Sequence, residues 1–172
     1  MTAPPEQMQY GDIESVIAVL ESPTKETIRA LLDDDTTVIW IDWRQDDETI
    51  ADSCEMVLGT GHLSGELVEV DSAEGYEIYL QYRDKRVKVP LSYSGADRHI
   101  TLCTLNQMLA PEYEVRLCID SYGGDTLAFL PLACEDWTAL ERQYGAAVNR
   151  RFFKFAERPN LFTDPLPFGG ED

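Results

Sequence analysis

Residues 113–132 constrain the fold of this chain more than any other stretch of its sequence. Val115, Leu117 and Ile119 recur at every second position, and the positions between them are mostly polar. A period of two residues is typical of a β-strand with one face buried and the other in solvent. The first half of the stretch therefore predicts a strand of this half-buried kind.

The second half of the stretch predicts a return strand. Gly123 and Gly124 lie in a polar segment, and glycine accepts the positive φ that a tight reversal needs. Residues 126–132 are then apolar at nearly every position, which is typical of a strand covered on both faces. Pro131 fits near the end of that strand, because proline cannot donate a hydrogen bond to a β-ladder. We therefore expect a hairpin whose second strand lies deep in the core.

Apolar periodicity elsewhere predicts the element order α-α-β-α-β-β-β-α-β-β-α. Asp12 is the candidate N-cap of the first short helix and Ser22 or Thr24 that of the second, and residues 37–44 are apolar enough for a central strand. Hairpins dominate and no regular βαβ alternation occurs. The fold class predicted is α+β, with a mostly antiparallel sheet and helices packed on it. We expect one domain over residues 1–158 and an extended Pro/Gly-containing tail over residues 159–172.

The charge of the chain is strongly and unevenly acidic. Thirty-two acidic residues oppose fourteen basic ones, which gives a net charge of -18, and residues 1–60 alone hold 14 acidic and 3 basic residues. Such a surface repels nucleic acid and anionic membranes, and it attracts basic partners over a distance. We therefore expect neither nucleic acid nor membrane as a partner. Solubility alone is the alternative explanation of the charge.

Two acidic runs flank the predicted strand at residues 37–44. The first run follows a predicted helix, whose C-terminal end disfavours anions, so it is a candidate for retention by a partner. The second run opens the next helix, where acids complement the helix dipole and need no further explanation. The six candidate partner-binding residues are Asp33, Asp34, Asp35, Asp46, Asp47 and Glu48. Trp40 and Trp43 lie between the runs, and alternation along the strand predicts that one of them is buried and the other partly exposed.

Cysteine usage and the absence of targeting signals favour a reduced, cytoplasmic setting. The four cysteines, Cys54, Cys103, Cys118 and Cys134, show neither a CxxC pair nor a zinc-finger spacing. No signal peptide precedes the first helix, and no apolar run reaches the length of about 18 residues that a membrane span needs. We expect no disulfide, metal or cofactor.

Candidate catalytic residues are few. Ser94 could in principle be a nucleophile, with His99 as its base and Asp97 as the orienting acid. All three fall within six residues of one loop, however, and the Gly-x-Ser-x-Gly motif of a nucleophile elbow is absent. The simpler interpretation makes Asp97 an N-cap and His99 a surface residue. The loop at residues 59–65 is rich in glycine and also holds His62, but it lacks a phosphate-binding Gly-Lys-Ser/Thr ending and is typical of a helix C-cap.

Two segments carry a resemblance to a known class of proteins. SGADRHITLCTLNQMLAPEYEVRLCIDSYGGDTLAFLPL (residues 94–132) and WTALERQYGAAVNRRFFKF (residues 137–155) are similar to stretches of immunity proteins from bacterial polymorphic toxin systems, which act in contact-dependent inhibition or type VI secretion. The resemblance implies a cognate toxin domain as partner, often with a basic cleft. It assigns no binding residue.

The sequence thus favours a binding protein over an enzyme. In this interpretation the acidic surface around residues 33–48 docks onto a basic toxin domain and blocks its active site. Two alternatives stay open, namely a small hydrolase or transferase that uses His99, and a structural or adaptor domain whose charge serves solubility.

Overall fold

The computed structural model describes residues 13–168; the predicted cap Asp12 and the last four residues of the predicted tail lie outside this range. The helices are α1 Ile13–Glu21, α2 Lys25–Leu32, α3 Asp47–Leu58, α4 Asp97–Leu109, α5 Cys134–Tyr144 and α6 Ala146–Arg151. The strands are β1 Ile39–Asp42, β2 Leu63–Glu69, β3 Tyr76–Tyr82, β4 Lys85–Lys88, β5 Tyr113–Cys118, β6 Thr126–Ala133 and β7 Phe152–Phe153. The predicted element order is present, with α6 and β7 added at its end.

The strands form two antiparallel sheets in one domain, so the α+β prediction is confirmed. The larger sheet has the order β1-β6-β5-β7 and the smaller one the order β2-β3-β4. β6 lies in the middle of the larger sheet and is buried on both faces, as expected. Leu127 and Phe129 belong to one hydrophobic core, which α3 and α4 share, and Ala128 and Leu130 belong to a second core with α1 and α5.

The half-buried character predicted for β5 is wrong. Arg116 and Cys118, which were expected on a solvent face, are almost fully buried. The reason is α5, which packs over this face of the sheet and covers what the local pattern marks as polar. Arg116 is accommodated by ion pairs to Glu114 (3.0 Å) and Glu141 (2.6 Å), and its guanidinium carbon lies 4.1 Å from the ring centroid of Trp137.

Pro131 lies within β6, two residues before its end, and the hydrogen bonds explain why it is tolerated. The backbone N–H and C=O of its partner Val115 bond to the side chain of Asn106, so they point away from β6. In an antiparallel ladder, Val115 and Pro131 are therefore a pair that does not exchange hydrogen bonds, and the proline nitrogen points toward the β1 side. β1 has already ended its pairing at Phe129, so no donor is needed there.

The turn between β5 and β6 is wider than a tight hairpin, because a 3-10 turn at Ile119–Ser121 precedes it. Gly123 has a φ of 117°, as expected. Gly124 does not adopt a positive φ, so that part of the prediction is wrong. One left-handed residue suffices once the 3-10 turn has reversed part of the chain.

Glycines also shape the connection from α3 to β2. Gly59 caps α3 in the left-handed conformation, which confirms the C-cap prediction. Gly65 belongs to β2 instead of the loop, and a Cβ on it would lie 2.0 Å from the carbonyl oxygen of Glu48. The first turn of α3 and β2 therefore approach each other as closely as only glycine permits.

The predicted fold needs two further corrections, one for β1 and one for the C-terminal tail. β1 is an edge strand and not a central one, because it pairs with β6 alone. Residues 159–168 carry no helix or strand, as the tail prediction has it, yet Leu161 and Leu166 are buried in the main core. The first ten residues of the expected tail are thus part of the packed domain.

Candidate protein-binding surface

The first acidic run makes the turn from α2 into β1. Asp33 is the C-cap of α2, and it and Asp35 are exposed. Asp34 accepts hydrogen bonds from the hydroxyl of Thr36 (2.6 Å) and the hydroxyl of Thr37 (2.9 Å). The Thr36 hydroxyl is the main cause of a lowered pKa of Asp34, and partial burial opposes it. The middle residue of this run therefore has a structural role, while its neighbours face solvent.

The second run contains a buried carboxylate that cannot contact a partner. Asp47, predicted as a binding residue, is only 5% exposed. Its two oxygens accept bonds of 2.9 Å from Nε and Nη2 of Arg98, and Thr101 donates to one of them at 3.0 Å. Burial raises the pKa of Asp47, and the charge of Arg98 opposes this rise. The prediction for Asp47 is wrong because α4 supplies a cationic partner that local sequence does not reveal.

The other two residues of the second run remain accessible. Asp46 occupies the N-cap position of α3, is exposed, and makes no side-chain capping hydrogen bond. Glu48 is half-buried, with its backbone against Gly65. The structure therefore keeps four of the six candidates at the surface beyond the two ends of β1.

Both tryptophans between the runs are exposed, so the expectation that one is buried is wrong. Trp40 is 42% exposed and Trp43 is 45% exposed. Their neighbours Ile39 and Ile41 face the core, whereas Trp40 lies at the open margin of an edge strand and Trp43 follows the end of that strand.

Hydrogen bonds hold the indole of Trp40 and the backbone of Trp43 in place. The indole N–H of Trp40 donates to the carbonyl of Leu32 at 2.9 Å. The carbonyl of Trp43 accepts from Nη1 of Arg98 at 2.9 Å, and its N–H donates to the carbonyl of Asp125 at 3.3 Å. Large aromatic side chains that are fixed yet exposed are the residues that anchor protein interfaces.

We call this region the β1 surface. It consists of Asp33, Asp35, Trp40, Trp43, Asp46 and Glu48. The N–H of Trp43 donates to Asp125, the residue just before β6, so alternation along β1 points the backbone N–H and C=O of Trp40 and Asp42 away from β6. The carbonyl of Asp42 already accepts a hydrogen bond from the N–H of Gln45 at 2.9 Å. So short a free edge favours recognition by side chains over addition of a partner strand.

His99 is not the surface residue that the sequence suggested, since it is only 1% exposed. Its Nε2 lies 2.8 Å from the carbonyl of Ala156, and the N–H of Leu161 donates to Nδ1 at 3.3 Å, so the ring is neutral with its proton on Nε2. Burial lowers the pKa of His99. The segment after β7 covers this histidine, which local sequence could not show.

Asp97 does not orient His99, so the Ser-His-Asp set is not assembled. Its carboxylate accepts bonds from the backbone N–H of Ser92 (2.7 Å), the hydroxyl of Ser92 (2.7 Å) and the N–H of Ser94 (3.2 Å). The residue lies in the first turn of α4, while Ala96 holds the N-cap position, so the N-cap prediction for Asp97 is also wrong.

Cys103 forms the closest approach to a nucleophile pair, and the sequence interpretation missed it. Its Sγ lies 3.3 Å from Nε2 of His99, four residues earlier on the same helical face, a spacing that could have revealed the pair. The sulfur also lies 3.4 Å from the carbonyl of Ala156, and burial raises the pKa of the thiol to about 11. A protonated thiol beside a histidine that already donates to a carbonyl is not an activated nucleophile.

Three basic residues of the β3–β4 hairpin are paired with acids, and the fourth, Lys85, donates to the carbonyl of Met108 at 3.3 Å. Ion pairs join Arg83 to Glu112 at 2.8 Å, Arg86 to Glu66 at 3.2 Å and Lys88 to Glu77 at 2.9 Å.

Within residues 13–168, no group of three potential metal ligands comes together. No helix in that range combines the length and apolar character needed to cross a bilayer.

The β1 surface therefore differs from the rest of the described chain in combining exposed tryptophans with accessible carboxylates. Comparison of the chain with models of known families, with characterised proteins and with solved structures finds no match.

Proposed function

We propose that this protein is a cytoplasmic immunity protein, an antitoxin that binds a basic toxin domain through the β1 surface and blocks the active site of that domain. The observation that carries the proposal is a pair of exposed tryptophans, one on edge strand β1 and one just after it, between accessible carboxylates. The net charge of -18 supports a basic partner, and the resemblance of residues 94–132 to immunity proteins supports the biological role.

The two components of the surface would act at different stages of binding. Carboxylates at its rim attract a basic partner from a distance, and this mainly raises the association rate. Trp40 and Trp43 would become buried in the complex and slow its dissociation, since large aromatic anchors contribute most of the affinity of an interface. Because hydrogen bonds already hold the indole of Trp40 and the backbone of Trp43, the ordering that binding requires of the β1 surface is reduced.

The test is the binding kinetics of the purified protein with the product of the adjacent reading frame. The site variant carries the substitutions Asp33→Asn, Asp35→Asn, Asp46→Asn and Glu48→Gln. The control variant changes the net charge equally at exposed residues of the smaller sheet and its turns, through Glu69→Gln, Asp71→Asn, Glu74→Gln and Asp84→Asn. At low salt we expect the site variant to associate more slowly than the control, and the two rates to converge at high salt.

A second pair of variants tests the anchors. Trp40→Ala and Trp43→Ala should raise the dissociation rate by about tenfold or more each, with a smaller effect on association. Thermal midpoints close to that of the wild type would show that the variants are folded. Equal association rates for the site and control variants, or wild-type dissociation without the tryptophans, would contradict the proposal. Failure of the wild-type protein to bind that product or relieve its toxicity would contradict the assigned role.

A further inference from the structure

A groove of about 590 Å³ opens beside Trp43, and neither Trp40 nor any residue of α2 lines it. Trp43 and Tyr122 form its exposed aromatic walls, and the latter is 37% exposed. Its apolar base includes Leu127, Leu161 and Phe162. The volume lies within the range of pockets that take small ligands or protruding side chains.

Two acidic residues border this aromatic groove, and backbone hydrogen bonds hold the main chain of one and the carboxylate of the other. Asp125 is held beside Trp43, because its carbonyl accepts the tryptophan N–H at 3.3 Å. Asp164 is anchored by one oxygen, which accepts the N–H of Asn160 at 2.7 Å. The groove therefore offers aromatic faces and negative charge to the same occupant.

Arg44, which lies beside the groove, is already paired with a carboxylate. Arg44 bonds to Asp42 at 3.2 Å, and its guanidinium carbon lies 5.5 Å from the ring centroid of Trp43. Asp42 offsets most of its charge and Asp125 also attracts it, so the carboxylates Asp42, Asp125 and Asp164 outnumber this one cation. The position of Arg44 also shows that a guanidinium group packs near this indole, a distance at which cation–π attraction acts.

We propose that this groove binds an arginine side chain of the partner protein; the inference rests on the function proposed above and assigns the contact that recognises the partner. A guanidinium group is flat and weakly hydrated, so it stacks on aromatic rings and can bond a carboxylate with two parallel N–H groups. A lysine ammonium group is more strongly hydrated and lacks the flat face. An apolar side chain would leave the two carboxylates without a countercharge.

The test uses blocked tripeptides and therefore does not need the partner. Acetyl-Gly-Arg-Gly-amide is titrated into ¹⁵N-labelled protein, and the indole N–H signal of Trp43 and the amides of residues 122–125 are followed by NMR. We expect saturable shifts at these signals and little change at the indoles of Trp40 and Trp137. The matching lysine peptide should bind more weakly, and the citrulline peptide, which has the shape of arginine without its charge, should not bind.

Variants locate the charge that matters. Asp125→Asn should weaken binding of the arginine peptide by about tenfold, the usual effect of losing one charge-assisted hydrogen bond. Asp71→Asn makes the same change in net charge in the turn between β2 and β3 and should leave binding unchanged. Tyr122→Ala should weaken binding through loss of one wall.

Equal shifts with the arginine and citrulline peptides, equal loss in both aspartate variants, or no shift at Trp43 would each overturn the proposal. These outcomes are separable from failure of the proposed function. If the adjacent gene product binds while the arginine peptide does not, the function stands and the groove assignment fails. If the peptide binds and that product does not, the groove is a guanidinium site and the immunity role fails.

Discussion

The two acidic runs that flank β1 are similar in sequence but different in structure. In both, the middle carboxylate is structural and its neighbours are accessible. Asp34 is held by hydroxyl groups two and three residues away, whereas Asp47 is held by Arg98, fifty-one residues away on α4. The first run thus depends on local hydrogen bonds and the second on tertiary structure. We therefore expect replacement of Asp34 to lower stability only a little, and replacement of the buried Asp47 to lower it much more.

The same difference moves the two pKa values in opposite directions. The pKa of Asp34 is lowered, because the Thr36 hydroxyl stabilises the ionised carboxylate. The pKa of Asp47 is raised, because burial penalises the charge more than Arg98 compensates for it. Equal formal charge at two neighbouring sites therefore has opposite linkage to pH.

The largest effect is expected at the buried ion pair. Asp47→Ala should lower the free energy of unfolding by about 3–5 kcal/mol, since it leaves the charge of Arg98 without its partner in a largely buried site. Chemical denaturation monitored by circular dichroism measures this loss. Asp46→Ala, one residue earlier and exposed, is the matched control and should change stability little.

A double variant isolates the pair. Asp47→Ala combined with Arg98→Ala should be less destabilising than the sum of the two single changes, because neither charge is then left unpaired. Additive losses, or equal losses at Asp46 and Asp47, would remove the distinction between a tertiary and a local acidic run.

The next largest effect concerns the close contact between β2 and the backbone of the second run. Gly65→Ala would place a Cβ within 2.0 Å of the Glu48 carbonyl oxygen, so β2 and the start of α3 would have to separate. We expect a loss of about 1–3 kcal/mol, as is usual for overpacking. Gly95→Ala is a suitable control, because the nearest atom to a Cβ there would be Cγ2 of Thr163, 3.9 Å away. A wild-type midpoint for Gly65→Ala in a denaturant titration would contradict this close approach.

Local periodicity was sufficient to predict the order of the elements, because burial of one face leaves a repeating mark on each segment. It did not predict strand order, since an apolar edge strand with covered neighbours resembles a central one. The burial of Asp47 could have been predicted. Ile50, Ala51 and Cys54 follow it at helical spacing and form the buried face of α3, so a carboxylate on that line needs a partner.

Other features had no local signal. The covering of His99 depends on Ala156, near the end of the predicted domain, and on Leu161, in the predicted extended tail. The groove beside Trp43 likewise joins the end of β1 to residues 122–125 and 161–165, and no single stretch of sequence contains it. Contacts of this range come from the topology of the fold and leave no period in the chain.

A smaller effect is expected at the middle of the first run. Asp34→Asn should lower the free energy of unfolding at neutral pH by about 1 kcal/mol, a hydrogen-bond loss reduced by partial exposure to solvent. Its folded pKa lies below the ordinary value of 3.8, so this contribution is present above 3.8 and is lost as the pH falls through the folded pKa. The stability difference between wild type and variant should therefore shrink in acid.

A direct titration sharpens the same comparison. Following the carboxyl carbons of the wild-type protein by NMR should give a midpoint below 3.8 for Asp34 and above 3.8 for Asp47. For Asp47 the linkage is reversed, since a raised folded pKa makes its contribution to stability increase as the pH falls through that window. In the comparison of stability between wild type and Asp34→Asn, the variant Asp35→Asn controls for the loss of one charge in the first run. Midpoints that coincide would show that the two middle carboxylates are in equivalent environments.

The smallest effect on stability is expected from the accessible acids, and this is what makes them informative about function. Neutralising Asp33, Asp35, Asp46 and Glu48 should leave the thermal midpoint nearly unchanged or raise it, because these residues face a strongly acidic protein and mainly repel other carboxylates. The control set Glu69, Asp71, Glu74 and Asp84 should behave alike in a thermal melt. A marked loss of stability in the first variant alone would mean that the β1 acids are structural. If the two variants match in stability and differ in association rate, the acidity around β1 serves recognition, since solubility depends on total charge and recognition on where that charge lies.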